Sequence, residues 1–352
     1  MAGPIRAILA CVAAGLVAIP ALSGTAAAQH WPDRPVRFIS SQAAGNGTDI
    51  IARFVAEQLS GRIGQPVIVE NRPGGGNVVG TQAAARSAPD GTTFFFATAA
   101  ALVTDPYTVK SLPYDPIKAF VPVARVAEVS FVILANPSVP ANNLDELIRL
   151  AKAEPDKLSI GTSGPKRFSG MVVSWLNKLA GMRITQVPYN GMGPGIQDAI
   201  ANRIPLVILS LPEGAASLST GALKPIAVTS LQRVKSLPNV PAIAETFPDF
   251  DFTGWMLLTA ISGTPEPIIA RMNREVDAIM QEPPIQERLA KMYFSVPGAG
   301  TLQQAWRWIE KGTEIVEEIS SDLELDSHTH RVAQQIGRAQ SALLRQASVF
   351  QR

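Results

Sequence analysis

The chain has 352 residues, a formal net charge of +2, 46% apolar residues, one cysteine and three histidines. A charge so close to balance suggests neither a nucleic acid nor an anionic membrane as partner. Cys11, His30, His328 and His330 all lie toward the ends; the body between Trp31 and Ser327 therefore excludes Ser-His-Asp and Cys-His hydrolysis and His-ligated zinc, and no metal or cofactor is expected.

Arg6 precedes an apolar run from Ala7 to Leu22 that ends in small residues, Ser23 to Ala28. A positive n-region, an apolar h-region and an A-x-A site read as a secretory signal peptide over residues 1–28, cut after Ala28, which predicts a periplasmic protein. The run is shorter than the roughly 20 residues that span a bilayer, and Gly15 and Pro20 interrupt it. Cleavage removes the only cysteine and leaves about 320 residues, enough for two domains held by core size alone.

Beyond the signal, short β-rich runs alternate with helical patterns. Strands are expected at Val36–Ser41, Pro66–Glu70 and Thr92–Ala97, with helices at Thr48–Leu59 and Ala83–Ala88 between them. A Pro-rich, strand-like passage from Leu112 to Val126 reads as a crossover to a second unit. That unit has strands at Phe131–Ala135, Leu158–Gly161, Ile184–Val187, Leu206–Leu209 and Ile226–Val228. Its helices fall at Leu144–Ala153, Arg167–Leu179 and Gly195–Asn202. The chain returns near Ser230–Trp255, and helices at Pro265–Met280, Pro284–Met292 and Leu302–Ser320 pack back on the first unit. Strand–helix alternation of this kind means an α/β protein with mostly parallel sheets. The expected division is lobe 1 at 29–128 with 252–325, lobe 2 at 129–251, and a tail at 326–352. In the tail, Arg331, Arg338, Arg345 and Arg352 recur every seven residues, as in a partly ordered basic helix. Two crossovers make a hinge, and ligands of such sheets bind between the lobes, outside the carboxyl ends of the strands.

Two strand–loop–helix junctions carry the candidate binding residues. The first, Ser40 to Asp49, holds Gln42, Ala44, Gly47, Thr48 and Asp49. Its glycines allow a tight turn, Asn46 tolerates positive φ, and free amides of the first helical turn suit a carboxylate. The plainer reading is that Thr48 or Asp49 only caps the helix. The second junction, Ser159 to Ser169, offers Ser163 and Gly164 for an oxygen-rich group. Lys166 and Arg167 there either pair with an anion or form a solvated helix start. Thr98 ends the third strand and could floor the cleft, whereas the glycines of Arg72 to Asn77 read as structural. Trp175, Trp255, Trp306 and Trp308 read as packing.

Several stretches together resemble the Bug-type receptors of tripartite tricarboxylate transporters. They are Ala44-Gly45-Asn46-Gly47-Thr48-Asp49-Ile50-Ile51-Ala52-Arg53, Val69-Glu70-Asn71-Arg72-Pro73-Gly74, Ala88-Pro89-Asp90-Gly91, Leu112-Pro113-Tyr114-Asp115-Pro116 and Val187-Pro188-Tyr189-Asn190-Gly191. Ala227-Val228-Thr229-Ser230 and Gly263-Thr264-Pro265 fit as well. The resemblance implies a type II periplasmic-binding fold of two Rossmann-like lobes and a ligand held by loop amides, hydroxyls and waters; the missing His and Cys speak against an enzyme on this scaffold. It implies a small organic carboxylate as ligand and a membrane permease as partner; the protein is expected to be a monomer. Ala44, Gly47, Thr48, Asp49, Ser163 and Gly164 match the family pattern. The first loop departs from it with Ser41-Gln42-Ala43, the second with Pro165-Lys166-Arg167-Phe168. Ser210 stands where an acidic or amide residue is common. Losing a carboxylate at Ser210 disfavours an amino-acid ligand, and gaining Lys166 and Arg167 favours extra negative charge. Two alternatives stay open: a module that presents its ligand to a signalling partner, and a drifted paralogue with an altered ligand.

Overall fold

The computed structural model describes residues 31–109, 111–296 and 298–320; the expected signal peptide and basic tail lie outside the described residues. The first lobe opens with β1 (Val36–Ser40), α1 (Gly47–Ile63), β2 (Val67–Asn71), α2 (Val78–Ala85) and β3 (Thr93–Thr98). A π-helical turn, Ala100–Thr104, runs into the short α3 (Asp105–Thr108), then α4 (Pro116–Ala119) and the long β4 (Phe120–Val129). At Ser130 the chain changes sheet. The second lobe comprises β5 (Phe131–Ala135), α5 (Leu144–Ala153), β6 (Ser159–Thr162), α6 (Phe168–Ala180), β7 (Thr185–Pro188), α7 (Met192–Ile200), β8 (Leu206–Ser210), α8 (Leu211–Ser219) and β9 (Lys224–Val228). β10 (Gly254–Ile261) re-enters the first sheet. It is followed by α9 (Glu266–Met280), α10 (Pro283–Lys291), β11 (Phe294–Ser295) and α11 (Leu302–Ser320).

The first sheet has the order β11-β4-β10-β3-β1-β2, the second β7-β6-β8-β5-β9. β1 runs parallel to β2 and β3, and β6 parallel to β7 and β8. The sheets are nonetheless mixed rather than mostly parallel, because β10 is antiparallel to both β3 and β4, and β5 to both β8 and β9. The physical reason is the crossing itself. β4 carries the chain out of the first lobe and β10 brings it back, so the two lie side by side in opposite directions. β5 and β9 do the same for the second lobe.

Alternation along β3 shows how one strand serves two cores. Phe94 and Phe96 face a cluster with Ile51, Phe54 and Leu59 of α1 and Met272 of α9. Phe95 and Ala97 face the opposite cluster. That second cluster is continuous through Val103, Phe252 and Trp255 into Met171 and Trp175 of the second lobe. Trp175 stacks on Phe250 with ring centroids 4.6 Å apart, and Phe168 contacts both Phe131 and Phe252, so the packing role expected for Trp175 is met. β10 reads GWMLLTAI and is buried at every position; a run without polar alternation marks no strand by periodicity alone.

Candidate functional site

The carboxyl ends of β1, β3, β6 and β8 are where the candidate residues sit. In the first junction, Asn46 is the N-cap of α1: its side chain accepts from the Asp49 amide at 2.9 Å. Neither Thr48 nor Asp49 holds that role. Asp49 is buried and folds back under the loop, accepting from the Gly45 amide at 2.8 Å, Arg53 at 3.0 Å and Asn71 at 2.8 Å. Burial pushes its pKa up, but those hydrogen bonds outweigh burial and hold it below the usual carboxylate range. Asp49 therefore shapes the loop from inside. The amides of Gly47 and Thr48 in the first turn have no intrahelical acceptor and carry the positive end of the helix dipole. Ala44 is exposed at the tip.

Gln42 is tied into this loop from both ends. Its Oε1 accepts from Asn46 Nδ2 at 3.1 Å, and its Nε2 donates to Asn77 Oδ1. Asn77, at φ +84°, donates in turn to Asp105 Oδ2 at 2.9 Å. Asp105 is 1% exposed; burial, opposed by Asn77 and Arg167, raises its pKa to about 7.

In the second junction, Ser163 and Ser169 share a 2.7 Å hydroxyl contact, and the Ser163 amide donates to Ser169 Oγ at 2.9 Å. The Gly164 amide donates to Thr162 Oγ1 at 3.1 Å. These two amides are thus spent within the loop, and the exposed Ser163 carries a hydroxyl that is itself paired with Ser169. The loop lies so close on α6 that a Cβ at Gly170 would stand 2.1 Å from the Gly164 carbonyl. Lys166 is exposed, and Arg167 reaches across to the first lobe, 3.4 Å from the Gly76 carbonyl and 3.8 Å from Asp105 Oδ1.

Thr98 Oγ1 accepts from the Ala101 amide at 3.3 Å and so starts the π-turn. Ser210 forms a capping box with Glu213, its hydroxyl 2.7 Å from Glu213 Oε2. Sequence reasoning passed over Glu213, although Ser-x-x-Glu at a strand end is a readable signal. It also passed over Asn77 and Asp105, for which Asp105-Pro106 at a helix start was the only local cue.

Toward the hinge, the groove between the lobes widens into a cavity of about 530 Å³, bounded by Ala99, Thr104, Ser130, Phe168, Thr253 and Tyr293. None of the expected binding residues lines it; of these, Gln42 and Arg167 belong to a separate polar chain that runs from Asn46 through Asn77 and Asp105 between the two lobes. The described residues contain no group of His, Cys, Asp or Glu able to hold a metal. No helix among them is long and apolar enough to cross a membrane.

Comparison with known proteins matches residues 51–325 to the family described as tripartite tricarboxylate transporter family receptor. A UPF0065 protein of Bordetella bronchiseptica is 35% identical over 273 residues, covering 77% of this chain and 81% of that one. Protein BugT of Bordetella pertussis is 31% identical, covering 78% and 85%. Among solved structures, R. palustris Rpa4515 with adipate superposes with a TM-score of 0.75 at 29% identity, covering 83% of this chain and 97% of that one. Periplasmic binding protein BugD gives 0.69 at 30% identity, covering 83% and 97%. MatC from Rhodopseudomonas palustris with bound malate gives 0.71 at 26%, covering 82% and 100%.

Proposed function

Because the chain belongs to the tripartite tricarboxylate transporter receptor family, we propose that it captures a small organic carboxylate between its lobes in the periplasm and delivers it to a membrane permease. The observation that carries this reading is the start of α1. There the Gly47 and Thr48 amides, in the first turn and without an intrahelical acceptor, adjoin a loop whose one buried carboxylate, Asp49, is already neutralised from within. An anion meets oriented N–H dipoles there without a buried like charge left unpaired. The similar solved structures with adipate and with bound malate support the ligand class.

The lobe division that serves this reading is 29–128 with 252–325 against 129–251, in keeping with the change of sheet at Ser130 and the start of β10 at Gly254. Ligand contacts are assigned to the Gly47 and Thr48 amides, the Ser163 hydroxyl, and Ala44 and Thr98 at the walls. Asp49, Gly164 and Ser210 support the loops. Lys166 supplies long-range attraction. The protein acts as a monomer without nucleic acid, after removal of residues 1–28, and it binds rather than transforms its ligand. Closure follows from tighter binding in the closed than in the open form.

Native mass spectrometry of the protein from Gln29 onward, with thermal shift against di-, tri- and aromatic carboxylates, tests the reading. The expected result is a retained or added acid that raises the melting temperature in proportion to the logarithm of its concentration. No adduct and no shift across the panel would sink it. Chemical conversion of any bound acid would overturn the non-enzymatic part.

A further inference from the structure

Arg167 is placed at the helix start of one lobe, but its guanidinium rests on the other. It donates from Nη1 to the Gly76 carbonyl at 3.4 Å and lies 3.8 Å from Asp105 Oδ1. Three features mark a seat shaped for it. Gly76 has φ +62°, which favours glycine, and the guanidinium lies so close that a Cβ there would fall 2.0 Å from Arg167 Nη2 and displace it. Asp105 is buried, and while its Oδ2 accepts from Asn77, its Oδ1 accepts no hydrogen bond and faces the guanidinium. Asn77 passes the connection on, since its Oδ1 accepts from Gln42 Nε2 and from Ser41 Oγ at 3.4 Å.

We propose that Arg167, seated in the socket of Gly76 and Asp105, is an interlobe clasp that holds the receptor closed and, through Asn77, positions Gln42 in the first binding loop. Arg167 is a positioning residue, not a ligand contact. Exposed ion pairs contribute little, but here the guanidinium faces the buried Asp105 Oδ1, which accepts no hydrogen bond from any other group. The clasp itself does not depend on the ligand; only its effect on affinity rests on the carboxylate-receptor reading.

The test measures closure without ligand. In the protein from Gln29 onward, which has no cysteine of its own, cysteines for spin labels go at the exposed Glu57 in the first lobe and Arg149 in the second, and the interlobe distance is read by pulsed electron resonance. The expected result is one narrow distance in the parent and a longer, broader distribution in Arg167→Ala, with Asp105→Asn between them. Because Arg167 is 43% exposed, its truncation leaves the core intact, and unchanged circular dichroism checks this. For any acid bound by the parent, Arg167→Ala weakens affinity about tenfold, chiefly through faster release, since the competent closed state is less populated. An unchanged distance distribution in Arg167→Ala overturns the clasp. So does a loss of affinity at unchanged distance, which would make Arg167 a ligand contact instead. A distance change in a protein that binds no acid upholds the clasp while the receptor reading fails.

Discussion

Asp49 and Asp105 are two buried carboxylates with opposite electrostatics, and each predicts its own pH dependence. Asp49 has its pKa held down by Gly45, Arg53 and Asn71. Its stabilisation is therefore present above the unfolded value of 3.8 and is lost as pH falls through the lower folded value. Asp49→Asn should cost about 2 kcal/mol at neutral pH, as expected for lost charge-assisted hydrogen bonds. In thermal melts its deficit against the parent should shrink below pH 4; a constant deficit down to pH 2 would contradict this. Asp105 goes the other way, since its folded pKa is near 7, above 3.8. The folded state binds the proton more tightly, so this group removes stability as pH rises from about 4 to about 7, with no further change above. Asp105→Asn should flatten that slope, so melting temperatures of parent and variant from pH 4 to 8 should diverge upward with pH. Parallel curves would show that Asp105 does not titrate there.

At the level of elements, α1 is the part on which binding depends, and Asn46 sets where it begins. Asn46→Ala removes the acceptor for the Asp49 amide and the partner of Gln42. It should cost about 1 kcal/mol in urea unfolding and weaken acid binding more than stability alone predicts. Equal loss at a control cap remote from the cleft, Asn143→Ala at the start of α5, with no change in binding, separates the two effects. This junction was legible in the sequence because a strand, a Gly-Asn-Gly turn and an amphipathic helix follow one another within a few residues. β5, α5 and α11 are equally legible and occupy the residues expected of them. β10 and the π-turn were not: β10 is apolar on both faces, and the π-turn Ala100–Thr104 has no compositional mark of its own. Arg167 was legible as a charge at a helix start, but its seat was not. Gly76 and Asp105 come from two other segments of the chain, and no local pattern states that they meet.

For the whole molecule, the mixed sheets follow from the double crossing, which places β4 and β10 as antiparallel neighbours and lets the chain bend at Ser130 and before Gly254. A core continuous between lobes through Trp255 and Phe252 limits how far they can part. Phe168→Ala, which removes the ring lying between Phe131 and Phe252, should destabilise the protein by about 3 kcal/mol in denaturant melts. A loss below 1 kcal/mol would mean that this aromatic contact is solvent-separated in solution. The central claim is that an acid is held by the start of α1 between the lobes, and a crystal structure with the acid selected from the panel tests it most directly. The account predicts a carboxylate within hydrogen-bond distance of the Gly47 and Thr48 amides, with Ser163 closing from the other lobe. An acid lodged only in the hinge cavity beside Ser130 and Tyr293, with the α1 amides on solvent, would contradict it.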